Sequence, residues 1–456
     1  MTVEQKMRRL GGTTEYPLAG ILIIMGLILL SPFVSVYLCY LAFLLCAYRV
    51  IRYDEKVFAV DYAIMIPVSQ QFRNATGMSL LVWLCLGASV WYLIRGKIRM
   101  NGTLVSLILL LNYLLARMRM NFSDFGLCFG QMFVLFVLLP KQDQHSAEYA
   151  SKTFCWSLLI TSVYALVFRN APQIVAFRGP ESPAIWGTSI MRFSGLIRDP
   201  NYYMTLLLVG LAVLCKLKET DRIGSVWFWS LALALTAFGV LTYSKTFFLV
   251  FILLGGIYVI WQFWSRKVFK GVLFTAVAVL LAAYMLLSKN SPFAIVIERL
   301  TSGNSLSDFT TGRSELFVQY WNVITQNMGS VLFGLGLDAP ILGKGAHNLF
   351  LEVVYFAGVV GLLLMMALYI GLVRDIQKGH REVKGQSLIA KYAVLFIMVV
   401  QYMTLQGMFQ VVTYAGMFMA ILSIYLYPRT SQEGQQQRVN ESKTVSDQFS
   451  PQVKDQ

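Results

Sequence analysis

Long apolar runs recur along most of this chain, and that feature limits its fold more than any other. About fourteen can be drawn, at roughly 17–31, 33–48, 57–70, 78–94, 103–116, 125–139, 153–168, 202–217, 224–241, 246–263, 272–287, 349–373, 393–409 and 411–427. An upright membrane-crossing helix needs about 20 apolar residues. Several runs are shorter, and the one at 57–70 carries Asp61 and Pro67, so twelve spans with re-entrant pieces fit as well as fourteen. The runs do not alternate apolar and polar positions, as the strands of an outer-membrane barrel do. Charged residues make up 13% of the chain and hydrophobic residues 57%, whereas a soluble domain carries about 25% charged residues. A soluble enzyme, a disordered chain and a disulfide-stapled module are therefore excluded. The expectation is an all-α, polytopic transmembrane helix bundle of about 12–14 helices.

The formal charge is +15, which in a soluble protein would suggest nucleic acid. In a membrane protein, Lys and Arg instead collect in cytoplasmic loops. With the N-terminus inside, alternation puts 26 of the 38 Lys and Arg on the inner side and 12 on the outer. This twofold bias absorbs most of the charge without a nucleic-acid partner and predicts that both termini are cytoplasmic. Lys6, Arg8 and Arg9 precede the first run, which reads as an uncleaved anchor. The expected organisation is a cytoplasmic N-terminus at 1–16, a helix bundle over 17–428 and a disordered cytoplasmic tail at 429–456. Two outer loops are long, 169–201 and 288–348. Cys39, Cys46, Cys85, Cys128, Cys155 and Cys215 lie in or beside apolar runs with no metal-ligand spacing, and read as buried hydrophobes. No clear internal repeat is visible.

Charges kept on the outer side against this bias are the candidates for chemistry. The first long loop ends Met191-Arg192-Phe193-Ser194-Gly195-Leu196-Ile197-Arg198-Asp199-Pro200-Asn201. Asp199 and Pro200 suit the N-cap and first turn of a helix. Arg192 and Arg198 beside that helix start could hold an anion, could bind lipid headgroups, or could pair with Asp199 and Glu181. Lys245 sits in a short outer turn, where it is either an anion ligand or a lysine reaching for the interface. Residues 313–327 place Leu316, Phe317, Tyr320, Trp321 and Ile324 at helical spacing, with Arg313, Glu315, Gln319 and Asn322 elsewhere on the wheel. That pattern predicts an amphipathic helix on the outer membrane surface, over a cavity or on top of the bundle. Glycines at 334, 336, 343 and 345 permit tight turns but make no dinucleotide site, since no strand precedes them. Of three histidines only His347 falls outside. It can take a hydroxyl proton, bind phosphate or be structural. Asn348 adjoins it, and Glu352 is an acid within an apolar helix.

In order, the chain carries R-F-S-G…D-P-N, Y-S-K-T-F-F-L, T-G-R-S-E-L-F…W, F-G-L-G and H-N-L-F-L-E-V…G-V-V-G, over about residues 190–370. This series resembles the O-antigen ligase and O-antigen polymerase (Wzy-like) superfamily of bacterial envelope polysaccharide enzymes. The resemblance implies a GT-C-like membrane glycosyltransferase acting on the outer face of the cytoplasmic membrane. The donor it implies is a glycan on undecaprenyl pyrophosphate. An acceptor hydroxyl attacks the anomeric carbon with inversion, without metal or other cofactor, and lipid pyrophosphate leaves. It implies Arg192 and His347 as catalytic residues. On the physical reading, Arg198, Lys245 and Arg313 add positive charge where pyrophosphate would sit, and Asn348 and Glu352 orient His347 or bind sugar hydroxyls. Lys245 stands where the family commonly has arginine, which keeps the charge and loses the bidentate grip. Trp186, Tyr202, Tyr203, Tyr320 and Trp321 could stack on sugars or anchor at the interface. The implied partners are the lipid-linked oligosaccharide, the lipid bilayer and other polysaccharide-assembly proteins. The expected activity is a polysaccharide polymerase. The alternatives are a ligase acting on a lipid A-core or other acceptor, and a transporter or flippase of lipid-linked oligosaccharide.

Overall fold

A computed structural model describes residues 18–53, 55–68, 79–95, 102–117, 130–184, 190–264, 292–301, 312–337, 345–378, 388–405 and 411–426, with 272, 276, 339, 340 and 342 besides. The expected terminal segments at 1–16 and 429–456, most of the run at 272–287, Cys128 and Trp186 lie outside them. The described chain is helical apart from isolated bridge residues; one antiparallel bridge joins Pro183 to Met191. The first helices are α1 (Leu18–Leu30), α2 (Tyr37–Arg52), α3 (Glu55–Met65), α4 (Leu80–Ile94) and α5 (Gly102–Ala116). Then come α6 (Gly130–Lys141), α7 (Gln144–Val167), α8 (Pro172–Arg178), α9 (Pro200–Glu219), α10 (Ser225–Leu241) and α11 (Lys245–Trp264). The last are α12 (Pro292–Thr301), α13 (Arg313–Ile324), α14 (Met328–Phe333), α15 (Leu349–Lys378), α16 (Leu388–Tyr402) and α17 (Val411–Leu422).

Three of these, α7, α9 and α15, are long and apolar enough to cross a membrane. In α9, 89% of the apolar window is buried, against 50% in α7 and 39% in α15. A helix apolar all round belongs in the middle of an assembly, and α9 packs against α7, α10, α11, α16 and α17. Large apolar side chains elsewhere face outward, among them Leu109 of α5, Leu233 of α10, Ile252 of α11 and Leu363 of α15. A surface of that kind suits hydrocarbon better than water. Cys39, Cys46, Cys85 and Cys155 are buried and Cys215 half-buried, all as free thiols.

Contacts between distant segments sort the helix ends into two groups. At one end Lys56 pairs with Asp143 at 2.5 Å and Arg222 with Glu148 at 3.1 Å, and Thr103 bonds Asp375. At the other, the Tyr164 hydroxyl donates to the Leu29 carbonyl at 2.5 Å and Tyr113 to that of Phe333 at 3.0 Å. Arg192 reaches Thr242, and Asn348 reaches Met403, at this second end.

The run at 57–70, the weakest by sequence, holds some of the most deeply buried residues. Val57 to Met65 are each no more than 1% exposed, Asp61 included. Asp61 tolerates this because Arg49 Nε of α2 donates to both its carboxylate oxygens, at 2.8 and 3.1 Å. Gly20 makes room: a Cβ there would lie 2.4 Å from Arg49 Nη1. Removing one member of such a pair strands the other charge and costs about 3–5 kcal/mol, whereas replacing both by apolar residues is far milder. Thermal unfolding in detergent should therefore show Asp61→Ala strongly destabilised, and Arg49→Met with Asp61→Leu restored toward wild type.

Candidate functional site

The second end is built around the N-terminus of α9. Asp199 caps it, accepting from the Asn201 amide at 2.7 Å, and Pro200 takes the first turn, as the sequence predicts. Before the cap the chain turns at Gly195, with φ of 59°, where a Cβ would lie 2.5 Å from the Tyr203 ring. That turn points the chain back to Phe193, whose amide donates to Leu241 at 3.0 Å. Arg192 is 9% exposed. Its Nε donates to the Thr242 carbonyl at 2.9 Å and its Nη2 to Asn201 Oδ1 at 2.8 Å. The guanidinium thus fastens the start of α9 to the turn between α10 and α11. Three residues after Thr242, half-buried Lys245 opens α11.

Glu181 does not neutralise Arg192 or Arg198. It is held by Arg169 at 2.6 Å and by Arg178. Arg198 is exposed and lies over Gly179, where a Cβ would be 3.6 Å from its Cγ. Arg313 opens α13 directly after Gly312, whose φ is 78°. Burial lowers the pKa of its guanidinium, and the charge of Asp199 opposes the shift. Arg169 and Arg178 pair with Glu181, and Arg313 feels the charge of Asp199; Glu298, Glu315 and Glu352 are the other described acids of segments 169–201 and 288–348 and of the helix starts that follow them. Guanidinium groups and a lysine brought to one end are the kind of donor set that binds a multiply charged anion.

His347, Asn348 and Glu352 form the opposite side. His347 adopts φ of 49°, a left-handed conformation that ends the loop. Asn348 caps α15, with Oδ1 accepting from the Leu351 amide at 3.0 Å. Its Nδ2 donates to the Met403 carbonyl at 3.3 Å, beyond the end of α16. Glu352 lies in the first turn of α15, where the helix dipole favours a carboxylate, and is 6% exposed. Burial, then Tyr355 and Glu352, push the Tyr320 hydroxyl up, against a hydrogen bond with the Leu342 backbone.

Two connections join the sides. Gln401 Nε2 donates to Thr205 Oγ1 at 3.2 Å, and Thr205 donates to the Asn201 carbonyl at 2.9 Å. Arg192 is thereby linked through Asn201, Thr205 and Gln401 to the segment that receives Asn348. Helix α13 is the second connection, with Arg313 toward Asp199 and Tyr320 against Tyr355 of α15, ring centroids 4.7 Å apart. Sequence reasoning missed Gln401, although a glutamine within the apolar run at 393–409 was a signal. Nothing in the sequence pointed to the Thr242 carbonyl.

Two sequence expectations change. The amphipathic helix ends at Ile324, and its stripe divides: Tyr320 and Ile324 are buried, while Phe317 and Trp321 are exposed. Of the aromatics suggested for sugar stacking, Tyr202, Tyr203 and Tyr320 are buried, and Trp321 alone among those described is open. The run at 349–373 is also not one regular helix. It breaks at Gly358, with φ of 68° and ψ of −174°. The Phe333-Gly334-Leu335-Gly336 loop fills the break. Leu335 and Gly336 amides donate to the Tyr355 and Phe356 carbonyls at 2.8 and 3.0 Å. Tyr113 bonds the Ala357 carbonyl at 2.6 Å, and Arg117 that of Gly334 at 2.6 Å.

No protein-family model matches this sequence, and no curated protein matches it. Among the described residues no three His, Cys, Asp or Glu side chains gather into a metal-binding group.

A Cβ on Gly358 would lie 2.3 Å from the Leu332 carbonyl oxygen, and positive φ alone costs a side chain about 1–2 kcal/mol. Gly358→Ala should lower the unfolding midpoint and the yield of folded protein. Gly87→Ala, with open space at its Cβ, should leave both unchanged in the same assay.

Proposed function

We propose that this chain is a polytopic glycosyltransferase of the bacterial cytoplasmic membrane, a polysaccharide polymerase of the Wzy-like type. It takes glycan from an undecaprenyl pyrophosphate-linked donor and passes it to a hydroxyl of a lipid-linked acceptor glycan. Both termini are cytoplasmic, and the site faces outward. One observation carries the reading: in an assembly this apolar, Arg192, Arg198, Lys245 and Arg313 gather at the same end as His347, Asn348 and Glu352. Pyrophosphate is already a good leaving group, and it needs cations more than a proton donor. Positive charge fixed before the reaction stabilises the charge that grows as the bond breaks.

In this mechanism Arg192 is held by Thr242 and Asn201, so its position is set before substrate arrives. Arg198 and Lys245 close on the phosphates. His347 accepts the proton of the attacking hydroxyl, and Asn348 and Glu352 orient the acceptor. The oxygen–carbon bond to the acceptor forms as the bond to lipid pyrophosphate breaks, which inverts the anomeric centre. Holding both lipid-linked substrates in one place supplies much of the acceleration.

The broken helix α15 favours a second reading, since transporters bind cargo at interrupted helices. Here the carbonyls freed at Tyr355 and Phe356 are already taken by Leu335 and Gly336. The break therefore presents no open backbone ligands at these positions, which supports transfer over transport.

Purified protein in nanodiscs, given the lipid-linked repeat, tests the assignment of roles. His347→Ala should lower turnover by about 10²–10⁴-fold, the range for a lost general base. Arg198→Ala should cost about tenfold, because an exposed cation is partly screened, with a weaker dependence on salt. Its unfolding midpoint should not move, while that of Arg192→Ala should fall along with turnover. Full turnover in both His347→Ala and Arg198→Ala would remove the site from this end.

A further inference from the structure

The exposed apolar face of α13 and α14 is the feature that the proposed chemistry leaves unused. Phe317, Val318, Trp321, Met328, Leu332 and Phe333 are 46, 55, 49, 72, 40 and 47% exposed. On the α13 wheel, Phe317 and Trp321 flank the buried arc of Tyr320 and Ile324. Glu315, Gln319 and Asn322, all exposed, occupy the opposite side, and exposed Gln326 follows in the turn after the helix. The Phe317 and Trp321 rings lie side by side, 6.4 Å apart and 10° from parallel. The strip itself carries no charged residue.

What covers this strip follows from its continuity with the lateral surface of the long helices. Helix α14 packs on α15, and α14 is tied to α5 by the bond from Tyr113 to the Phe333 carbonyl. Below that junction α5 exposes Ile108 and Leu109, and α15 exposes Leu363, Met366 and Ile370. The strip extends this apolar face toward the end that holds the candidate site. Tryptophan and phenylalanine bordered by a polar arc are what the boundary between headgroups and acyl chains favours. Half-buried Arg117 is bonded to the Gly334 carbonyl at 2.6 Å, next in the chain to Phe333 of the strip.

We infer that α13 and α14 form an interfacial collar. It is embedded by Phe317, Trp321, Leu332 and Phe333 in the outer leaflet, with Gln319, Asn322 and Gln326 facing water. The inference rests on the membrane reading of the chain and not on the glycosyl transfer. Its consequence for that transfer is geometric. A helix anchored in the leaflet also carries Arg313 toward Asp199 and Tyr320 toward Glu352. The site then lies at headgroup depth, where the pyrophosphate of a lipid-linked substrate resides, and such a substrate can enter sideways from the bilayer.

The test is site-directed spin labelling of the full chain in phosphatidylglycerol–phosphatidylcholine nanodiscs, in a variant whose native cysteines are replaced. Single cysteines go at Phe317, Trp321 and Leu332, at Gln319 and Asn322, and at Leu109 and Leu363 as references. The expected result is that labels at 317, 321 and 332 collide with oxygen more than with a water-soluble nickel reagent, as at 109 and 363. The labels at 319 and 322 should show the reverse. Nickel accessibility at 317, 321 and 332, with 109 and 363 protected, overturns the collar and leaves the membrane reading standing. Inaccessibility of 317, 321 and 332 to both reagents also overturns it, in favour of a contact with a second copy. Nickel accessibility at 109 and 363 overturns both.

Discussion

Charge is costly in an interior this apolar, and several buried charges have partners that fix where they sit. Asp61 is held by Arg49, Glu181 by Arg169 and Arg178, and Arg192 by a carbonyl and an amide. In water such contacts would be exchanged freely. In low dielectric, breaking one leaves a stranded charge, so they act as fixed joints. Arg192 depends on this most. Its guanidinium bonds only when α9 and the turn after α10 are both in place, which makes it as much a product of the fold as a component of the site.

Because α9 is the most enclosed long helix, its N-terminus is a stable reference point. Asp199 and Asn201 lie on it, and Thr205 one turn further in leads to Gln401. The end of α16 then receives Asn348. Residues far apart in sequence are brought to one end by a short series of polar contacts between helices that are otherwise apolar. The FGLG loop fixes the opposite side. Gly334 and Gly358 bring two backbones together where no side chain would fit, with Cβ positions 2.5 and 2.3 Å from the other backbone. That contact sets where α15 resumes after its break, and so anchors the half of the helix that begins at Leu349, just after His347 and Asn348.

Much of this was legible in the sequence, for identifiable reasons. Apolar runs mark helices because burial and periodicity are local properties, and the Asp199–Pro200 cap is a local signal of the same kind. The partner of each charge was not legible, since pairing Glu181 with Arg169 and Arg178 rather than Arg192 is decided by tertiary geometry. The break at Gly358 was hidden because glycine is common inside apolar helices, and only the opposing loop shows that positive φ is required. The wheel of α13 gave the apolar arc correctly but not which half of it would meet α15.

The account turns on whether this end of the molecule transfers glycan between lipid carriers. The most direct measurement is the mass distribution of the polyprenyl pyrophosphate-linked glycan pool after incubation with the purified wild-type protein alone. The account predicts a ladder of longer lipid-linked glycans together with released undecaprenyl pyrophosphate. An unchanged pool, with the intact lipid-linked repeat carried across a vesicle membrane, would contradict it and identify a transporter.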